Sequence, residues 1–224
     1  MGASMPRKDK PTRIPTAKIV RDYIDTHPSI KDCLKDDLVN LSALSRQVMK
    51  DQGISSMEAI LVACRRYKDA SPRHNERTIK QTLAKSKVEM SSKVAIVTLR
   101  NDWQIYGKLQ GFLRKALSEG HVPKMIQGSK AITLITDENT AETVEEEIGK
   151  TNLLAFDKGL VEIAVTSPES IRTTPGIMAY LYGSLSSNGI NIVETMSTYT
   201  DTIFIVEPQN MMRAFEVLTK CIQG

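Results

Sequence analysis

The sequence predicts an α+β protein in which two ferredoxin-like β-α-β-β-α-β repeats follow a small N-terminal helical module. The order strand, helix, strand, strand, helix occurs twice, over about 93–156 and 160–222. An internal repeat of this kind indicates two copies of one supersecondary unit. Ahead of the repeats, apolar residues follow helical spacing instead. The predicted boundaries are a flexible basic tail at 1–14, a helical module at 15–90, a first repeat at 91–158 and a second repeat at 159–224.

The helical module begins with two segments of helical apolar spacing. The first, Thr16–Asp25, is expected to end at Pro28, because proline cannot continue a helix. The second covers Leu41–Asp51, with Asn40 or Ser42 as its N-cap residue.

A glycine turn at Gly53 then leads into a third helix. Ser55 and Glu58 have the spacing of a capping box, and this helix is expected to run to about Tyr67. Two helices joined by a short glycine turn are typical of a helix-turn-helix. Residues 80–87 continue as helix or linker.

The first repeat is read from β-branched runs, helical spacing and stop signals. Its predicted elements are a strand at 93–100, a helix at 104–119, strands at 121–127 and 131–136, a helix at 140–148 and a strand at 153–156.

The second repeat shows the same order. Its predicted elements are a strand at 160–166, a helix at 175–187, strands at 190–199 and 202–206, and a helix at 210–222. No segment follows for a sixth strand, so we expect that strand to be missing, or borrowed from the 152–158 connector or from another chain.

Two motifs of the second repeat resemble those of ACT domains, the small-molecule regulatory modules of many amino-acid metabolic enzymes. Pro175-Gly176-Ile177 opens the first helix, and Asn188-Gly189-Ile190-Asn191-Ile192 leads into the next strand, with an apolar strand at 202–206. The first repeat shares the topology but has Asp102-Trp103 in place of Pro-Gly. The resemblance implies side-by-side pairing of ACT sheets, with amino acids bound at the seam. No kinase, dehydrogenase or synthase domain accompanies the pair, so the chain resembles a free-standing ACT protein.

Elementary chemistry supports a binding role for the helix start at Pro175. Proline suits the first helical position, Thr174 is a plausible N-cap, and the free N–H groups of the first turn favour a ligand carboxylate. Gly176 leaves room for close approach of backbone. By resemblance, Asn191 and Ile192 contact the ligand's amino and carboxylate groups, and Asp201 could face its ammonium. The candidate ligand-binding residues are Thr174, Pro175, Gly176, Ile177, Met178, Asn191, Ile192 and Asp201. Pro-Gly and Asn-Gly are also common helix start and stop signals, so a purely structural reading stays open.

Charge is distributed unevenly along the chain. Residues 1–90 carry 18 Lys and Arg against 11 Asp and Glu, whereas residues 91–224 carry 12 against 15. A basic helix-turn-helix suggests phosphate contacts through Arg65, Arg66, Lys68 and Arg73. The front of its third helix, at 56–59, offers no Arg, Asn or Gln that could read a base edge. DNA binding and a structural or protein-contact role therefore both remain open for the module.

Several function classes lack their signatures. There is no G-x-G-x-x-G, P-loop or G-x-S-x-G, so no catalytic residues are predicted. The three cysteines, Cys33, Cys64 and Cys221, are odd in number and far apart, so neither a metal site nor a disulfide framework is predicted. No apolar run approaches a membrane span and no secretory signal is read, so we expect a cytoplasmic location.

The leading hypothesis is a non-catalytic, allosteric regulatory protein, homodimeric through its ACT-like sheets, that needs no cofactor. It binds an amino-acid effector and relays the bound state to a partner, such as DNA or a metabolic enzyme. The alternatives are a ligand-responsive, DNA-binding transcriptional regulator and a purely structural dimerisation protein.

Overall fold

The computed structural model describes residues 14–70 and 76–223. The chain divides into two compact units, Met1–Asn75 and Glu76–Gly224. The boundary expected at 90/91 falls inside a strand, and the division in the structure lies between Asn75 and Glu76. The predicted basic tail at 1–14 lies almost wholly outside the described residues. None of the helices in the described ranges is long and apolar enough to cross a membrane.

The described part of the first unit consists of four helices: α1 (Thr16–Asp25), α2 (Pro28–Lys35), α3 (Leu41–Gln52) and α4 (Met57–Ala70). They bury one apolar core that contains Ile24, Leu34, Val48 and Ile60. The expectation for Pro28 was incomplete, because this proline opens α2 as well as following α1. Proline is favoured in the first helical turn, where its missing N–H is not needed.

Local capping signals determine the ends of α3 and α4. The Asn40 side chain accepts hydrogen bonds from the N–H groups of Ser42 and Ala43, so Asn40 and not Ser42 is the cap. Gly53 ends α3 in the left-handed conformation, with φ 63°. The predicted capping box at Ser55 is wrong by one residue. It is the Ser56 hydroxyl that accepts from a first-turn N–H of α4.

The second unit combines helices with one antiparallel sheet. Its helices are α5 (Glu76–Leu83), α6 (Trp103–Ser118), α7 (Glu138–Ile148), α8 (Ile177–Ser187) and α9 (Met211–Gln223). Its strands are β1 (Lys87–Arg100), β2 (Lys124–Gln127), β3 (Ala131–Asp137), β4 (Leu153–Thr166), β5 (Glu194–Thr198) and β6 (Asp201–Val206). Within 76–223 they form a six-stranded sheet in the order β2-β3-β1-β4-β6-β5. The α+β class is confirmed.

The two long strands, β1 and β4, each belong to both repeats. The later part of β1, Val94–Arg100, pairs with β3 in the first repeat. The early part, Lys87–Ser91, pairs with the end of β4 over Glu162–Thr166, which belongs to the second repeat. The second repeat therefore takes its fourth sheet strand from residues that precede the first repeat. The expected sources, the 152–158 connector and another chain, are wrong. The strands predicted at 153–156 and 160–166 are one continuous strand.

Helices cover one face of each half of the sheet. In the first half, α6 and α7 pack over β1 and β3, burying Val97, Leu99 and Ile132 completely. In the second half, α8, α9 and α5 enclose β4 and β6 around Phe204. The α5 residues of this core are Ile79 and Leu83, which are 3% and 0% exposed. Helix α5 is thus a structural part of the second repeat.

The sheet folds over, so that its two helix-free faces form a third core. This core joins Ile96 and Ile135 of the first half with Ile203 and Ile205 of the second. On a flat sheet the attachment points of Lys124 and Glu162 would lie about 20 Å apart. The Lys124 ammonium nevertheless lies 2.8 Å from the Glu162 carboxylate. Irregular pairing of β1 with β4 between Ser91 and Ile96 marks the place where the strands bend.

Asp137, at the end of β3, caps α7 and is a group whose ionisation stabilises the fold. It accepts hydrogen bonds from the N–H and the hydroxyl of Thr140, at 2.9 and 2.6 Å, and lies 3.1 Å from Nδ1 of His121. Burial raises the pKa of the Asp137 carboxyl, but these hydrogen bonds and the nearby His121 outweigh burial and hold the pKa below its usual value.

We expect Asp137→Asn to change the acid dependence of stability. Because the folded-state pKa is depressed, the ionised carboxylate stabilises the protein above its unfolded pKa of about 3.9, and this stabilisation is lost as pH falls through the folded pKa. Asparagine still caps the helix but does not titrate. The wild type should exceed the variant in unfolding free energy by at most about 1 kcal/mol at neutral pH, since the site is partly exposed. Urea unfolding should show this gap shrinking below about pH 4. Parallel pH curves would contradict the assignment.

Candidate functional site

The chain enters α8 through a left-handed glycine. Gly176 has φ 96° and ψ −13°, and it occupies the N-cap position of a helix that begins at Ile177. The predicted start at Pro175 is therefore two residues early, and Pro175 precedes the helix. Thr174 is not the N-cap, because its hydroxyl donates to the Ser170 carbonyl at 2.8 Å. A residue without Cβ is needed at 176 because L side chains strongly disfavour this conformation.

The space beside Gly176 is filled by the protein itself. A Cβ placed on Gly176 would lie 3.0 Å from Cδ1 of Ile79, a core residue of α5. The missing side chain at Gly176 thus allows Ile79 of α5 to pack closely against this backbone. Substitution there would disturb folding as well as any ligand, so it cannot separate a binding role from a structural one.

The next two candidates, Ile177 and Met178, face inward. Ile177 is 1% exposed within the core of the second repeat. The Met178 sulfur lies 3.7 Å from the hydroxyl of the buried Thr202 on β6. These side chains anchor the start of α8 on the sheet. What this end of the helix offers to a ligand is therefore its unpaired first-turn N–H groups.

Asn191 and Ile192 lie at the other end of α8. Helix α8 spans about 16 Å, and residues 190–193 form a connector between its end and β5, which begins only at Glu194. The strand predicted from Ile190 is thus four residues too long at its start. Asn191 is exposed and Ile192 packs against the core. Within one chain the structure does not bring Asn191 together with Gly176.

Asp201 lies on the same side as Gly176. It opens β6 and pairs with Thr166, the last residue of β4. The adjacent hairpin turn is tied to the segment leading toward α8, because the Ser167 N–H donates to the Thr200 carbonyl at 2.9 Å. The start of α8, the end of β4 and the β5–β6 turn therefore share one end of the sheet.

A cavity of about 470 Å³ at this end is lined by the short helical turn Glu169–Thr173. Arg172 extends its guanidinium over the ring of Tyr199 in the β5–β6 turn, 5.1 Å from the ring centroid. The Tyr199 hydroxyl donates a hydrogen bond to Glu169, which raises the pKa of the tyrosine. Tyr199 thus holds a cation and a carboxylate close to each other beside the cavity.

This arrangement suits a zwitterion. The guanidinium of Arg172 can bind a carboxylate through paired hydrogen bonds, and Glu169 can accept from an ammonium. Sequence reasoning missed Glu169, Arg172 and Tyr199. The available signal was an Arg and a Glu just ahead of Thr174-Pro175, but nothing local indicated that the β5–β6 turn would lie against them.

Three of the four residues suggested for nucleic-acid contact, Arg65, Arg66 and Lys68, lie on α4, and their role in nucleic-acid binding stays a prediction. Arg65 and Arg66 are exposed neighbours on α4, and successive helical residues point about 100° apart. Lys68 forms an ion pair with Asp37 at 2.6 Å. Arg73 lies outside the described residues. Over 14–70 and 76–223, no group of three or more His, Cys, Asp and Glu side chains could hold a metal ion.

Comparison with known proteins identifies part of the chain. Residues 156–220 match the family model of the ACT domain, from the middle of β4 into α9. Comparison with curated proteins gives no match. The match covers 156–220 alone, and the fit of the first repeat to that family stays a prediction.

Solved structures share the fold. The regulatory subunit of aspartate kinase from Thermus thermophilus, in its ligand-free form, is 15% identical with a TM-score of 0.50, covering 60% of this chain and 95% of that one. The Thermus flavus subunit is 14% identical with the same score and coverage. The aspartate kinase of Clostridium acetobutylicum is 15% identical with a TM-score of 0.51, and the match covers 60% of this chain but 34% of the enzyme. At these identities the likeness concerns the fold alone.

Proposed function

We propose that this protein is a non-catalytic regulator that binds a free amino acid at the α8 end of its ACT domain. The observation that carries the proposal is that Arg172 and Glu169 both contact Tyr199 and both line the cavity just ahead of α8, within the segment that matches the ACT family. The guanidinium and the helix N–H groups favour the α-carboxylate, and Glu169 with Asp201 favours the α-ammonium. The solved neighbours are regulatory parts of an amino-acid metabolic enzyme, which agrees with this ligand class.

The position of Asn191 supports a site completed by a second copy of the chain. Strand β5 lies at an edge of the sheet formed by the described residues, and such edges readily pair with another chain. Two copies joined antiparallel through β5 about a two-fold axis would have their strands running in opposite directions. The Asn191 end of one copy would then reach the level of the Arg172 end of the other. Asn191, which lies far from Gly176 within one chain, would thus be supplied by the second copy across the β5 interface.

Helix α5 offers a route by which the bound state could reach the helical module. It is the first element of the second unit, and its Ile79 packs on Gly176 at the start of α8. A ligand that preferred one position of the α8 start would bias α5 through this contact, and coupling of two sites requires such a preference. The partner that reads the change is DNA or a metabolic enzyme.

A thermal-shift screen against the common amino acids tests the function. A ligand present at about 100 times its dissociation constant should add about 2.7 kcal/mol of stability. Arg172→Ala should weaken the affinity by about tenfold or more, since it removes charge-assisted hydrogen bonds. Arg213→Ala is the matched control, because Arg213 is an exposed cation near the start of α9. If no amino acid shifts the transition, or if the two variants behave alike, the proposed site is wrong.

A further inference from the structure

The first unit contains a cavity of about 510 Å³ among α1, α2 and α4. Four cationic side chains line it: Arg21 of α1, Lys31 and Lys35 of α2, and Arg66 of α4. We call this cavity the basic groove. Its volume lies within the range of roughly 300–1,000 Å³ found for small-molecule sites. The cavity involves none of the ACT-domain residues described above.

Helical spacing gives the basic groove its composition. Lys31 and Lys35 are four residues apart on α2, so both project from one face of that helix. On α4, Arg66 and Tyr67 follow Ala63 at the spacing of a single face, and on α1 Arg21 follows Ala17 in the same way. The short alanine side chains leave the space that the cavity occupies. The basic groove is thus lined by three alanines, one aromatic ring and four cations.

Most of this positive charge is not neutralised within the described residues. Lys31 binds Asp25 at 2.6 Å, and the Tyr67 hydroxyl donates to the same carboxylate at 2.6 Å. The hydrogen bond to Asp25 raises the pKa of Lys31, so this side chain stays cationic. The other ion pair within 14–70 joins Lys68 to Asp37. Arg21, Lys35 and Arg66 therefore have no described carboxylate within 4.0 Å.

Like charges around one cavity repel each other, and an anion placed among them removes that cost. Arginine pairs well with phosphate, because its planar fork donates two parallel hydrogen bonds to phosphate oxygens. Two arginines and a lysine can neutralise more charge than one phosphate group carries. The aromatic ring of Tyr67, beside the apolar side chain of Ala63, suits the heterocycle of a nucleoside. A concave site of this size also favours a small ligand over a duplex backbone, which helical modules meet with a projecting helix.

From these observations we infer that the basic groove binds a nucleoside polyphosphate. Arg21, Lys35 and Arg66 hold the phosphate chain, and the nucleoside lies against Ala63 beside Tyr67. The ACT domain and the helical module would then respond to two different classes of metabolite.

Isothermal titration of the full chain with ATP tests this inference, and neighbouring arginines on α4 provide a matched pair of variants. Arg66→Ala removes a cation from the groove and should weaken ATP binding by about tenfold or more. Arg65→Ala removes an exposed cation that does not line the groove, and should leave the affinity unchanged. Ala17→Glu places a negative charge in the lining of the basic groove, in the first turn of α1 where acidic residues are tolerated, and should also weaken ATP binding by about tenfold or more.

Three further ligands show whether the phosphates, the nucleoside or a general affinity for nucleic acid accounts for the binding. Adenosine should not bind, because it lacks the phosphates, and tripolyphosphate should bind more weakly than ATP, because it lacks the nucleoside. A short DNA duplex should not compete with ATP. The inference is overturned if ATP does not bind, if Arg65→Ala and Arg66→Ala weaken binding equally, if tripolyphosphate binds as tightly as ATP, or if the duplex binds in place of ATP.

Discussion

A chain of residues 93–224 is expected to lose the folded second repeat, whereas a chain of residues 76–224 should keep it. The shorter chain contains every element that the sequence assigned to the two repeats. It lacks α5 and the early part of β1, which the structure places inside the second repeat. Without Lys87–Ser91, the end of β4 becomes a sheet edge with unpaired backbone groups.

The expected loss of unfolding free energy is comparable with the total stability of a domain. Removing the buried side chains of Ile79 and Leu83 alone costs about 1.5–3 kcal/mol each. The lost strand pairing adds to this, and domains of ordinary size have a total stability of about 5–15 kcal/mol.

Urea unfolding of both chains, followed by circular dichroism, measures the difference. The 76–224 chain should unfold in one cooperative transition, and the 93–224 chain should show a lower midpoint and a smaller dependence on urea, since less surface is buried. Coincident transitions would mean that α5 and Lys87–Ser91 do not belong to the second repeat.

The sequence predicts an element correctly where residues close in the chain determine its ends. Helix α1 has the predicted bounds, because an amphipathic stripe and the following proline lie within a few residues of each other. Asn40 caps α3 and Gly53 ends it, because both act through neighbouring backbone groups. The order of strands and helices in both repeats was also predicted, since each element has its own periodicity.

Pairing between distant segments could not be read in the same way. Residues 87–92 are KVEMSS, with polar side chains at alternate and adjacent positions, and look like a linker beside the apolar run that follows. They form a strand because β4 continues past the first repeat and offers a partner about 75 residues later in the chain. No local pattern distinguishes such a strand from a loop. The bend that brings the two halves of the sheet together depends on irregular β1–β4 pairing, and it could not be predicted from the sequence either.

At the candidate site, the motif indicated the correct segment but not its geometry. Thr174-Pro175-Gly176 does introduce a helix. Gly176 is required by its positive φ and by contact with Ile79, and Thr174 bonds to the preceding turn instead of capping. The pairing of Arg172 with Tyr199 depends on the β5–β6 turn folding back, which is a tertiary contact. The separation of Asn191 from Gly176 follows from the length of α8, which lies between them and spans about 16 Å.

The second large effect is expected because the proposed amino-acid site takes residues from two copies of the chain. Arg172→Ala and Asn191→Ala should each weaken binding of the amino acid found in the screen by about tenfold or more, because every site in either homodimer lacks one contact. Both side chains are exposed, so neither change should unfold the protein.

The most direct test of the central claim is a titration of that amino acid into an equal mixture of the two variants, unfolded and refolded together so that the chains can exchange. If each site takes Arg172 from one copy and Asn191 from the other, half of the dimers regain one intact site. Binding should then return to about a quarter of the wild-type stoichiometry, with wild-type affinity. A mixture that binds no more than either variant alone would contradict a site shared between two copies.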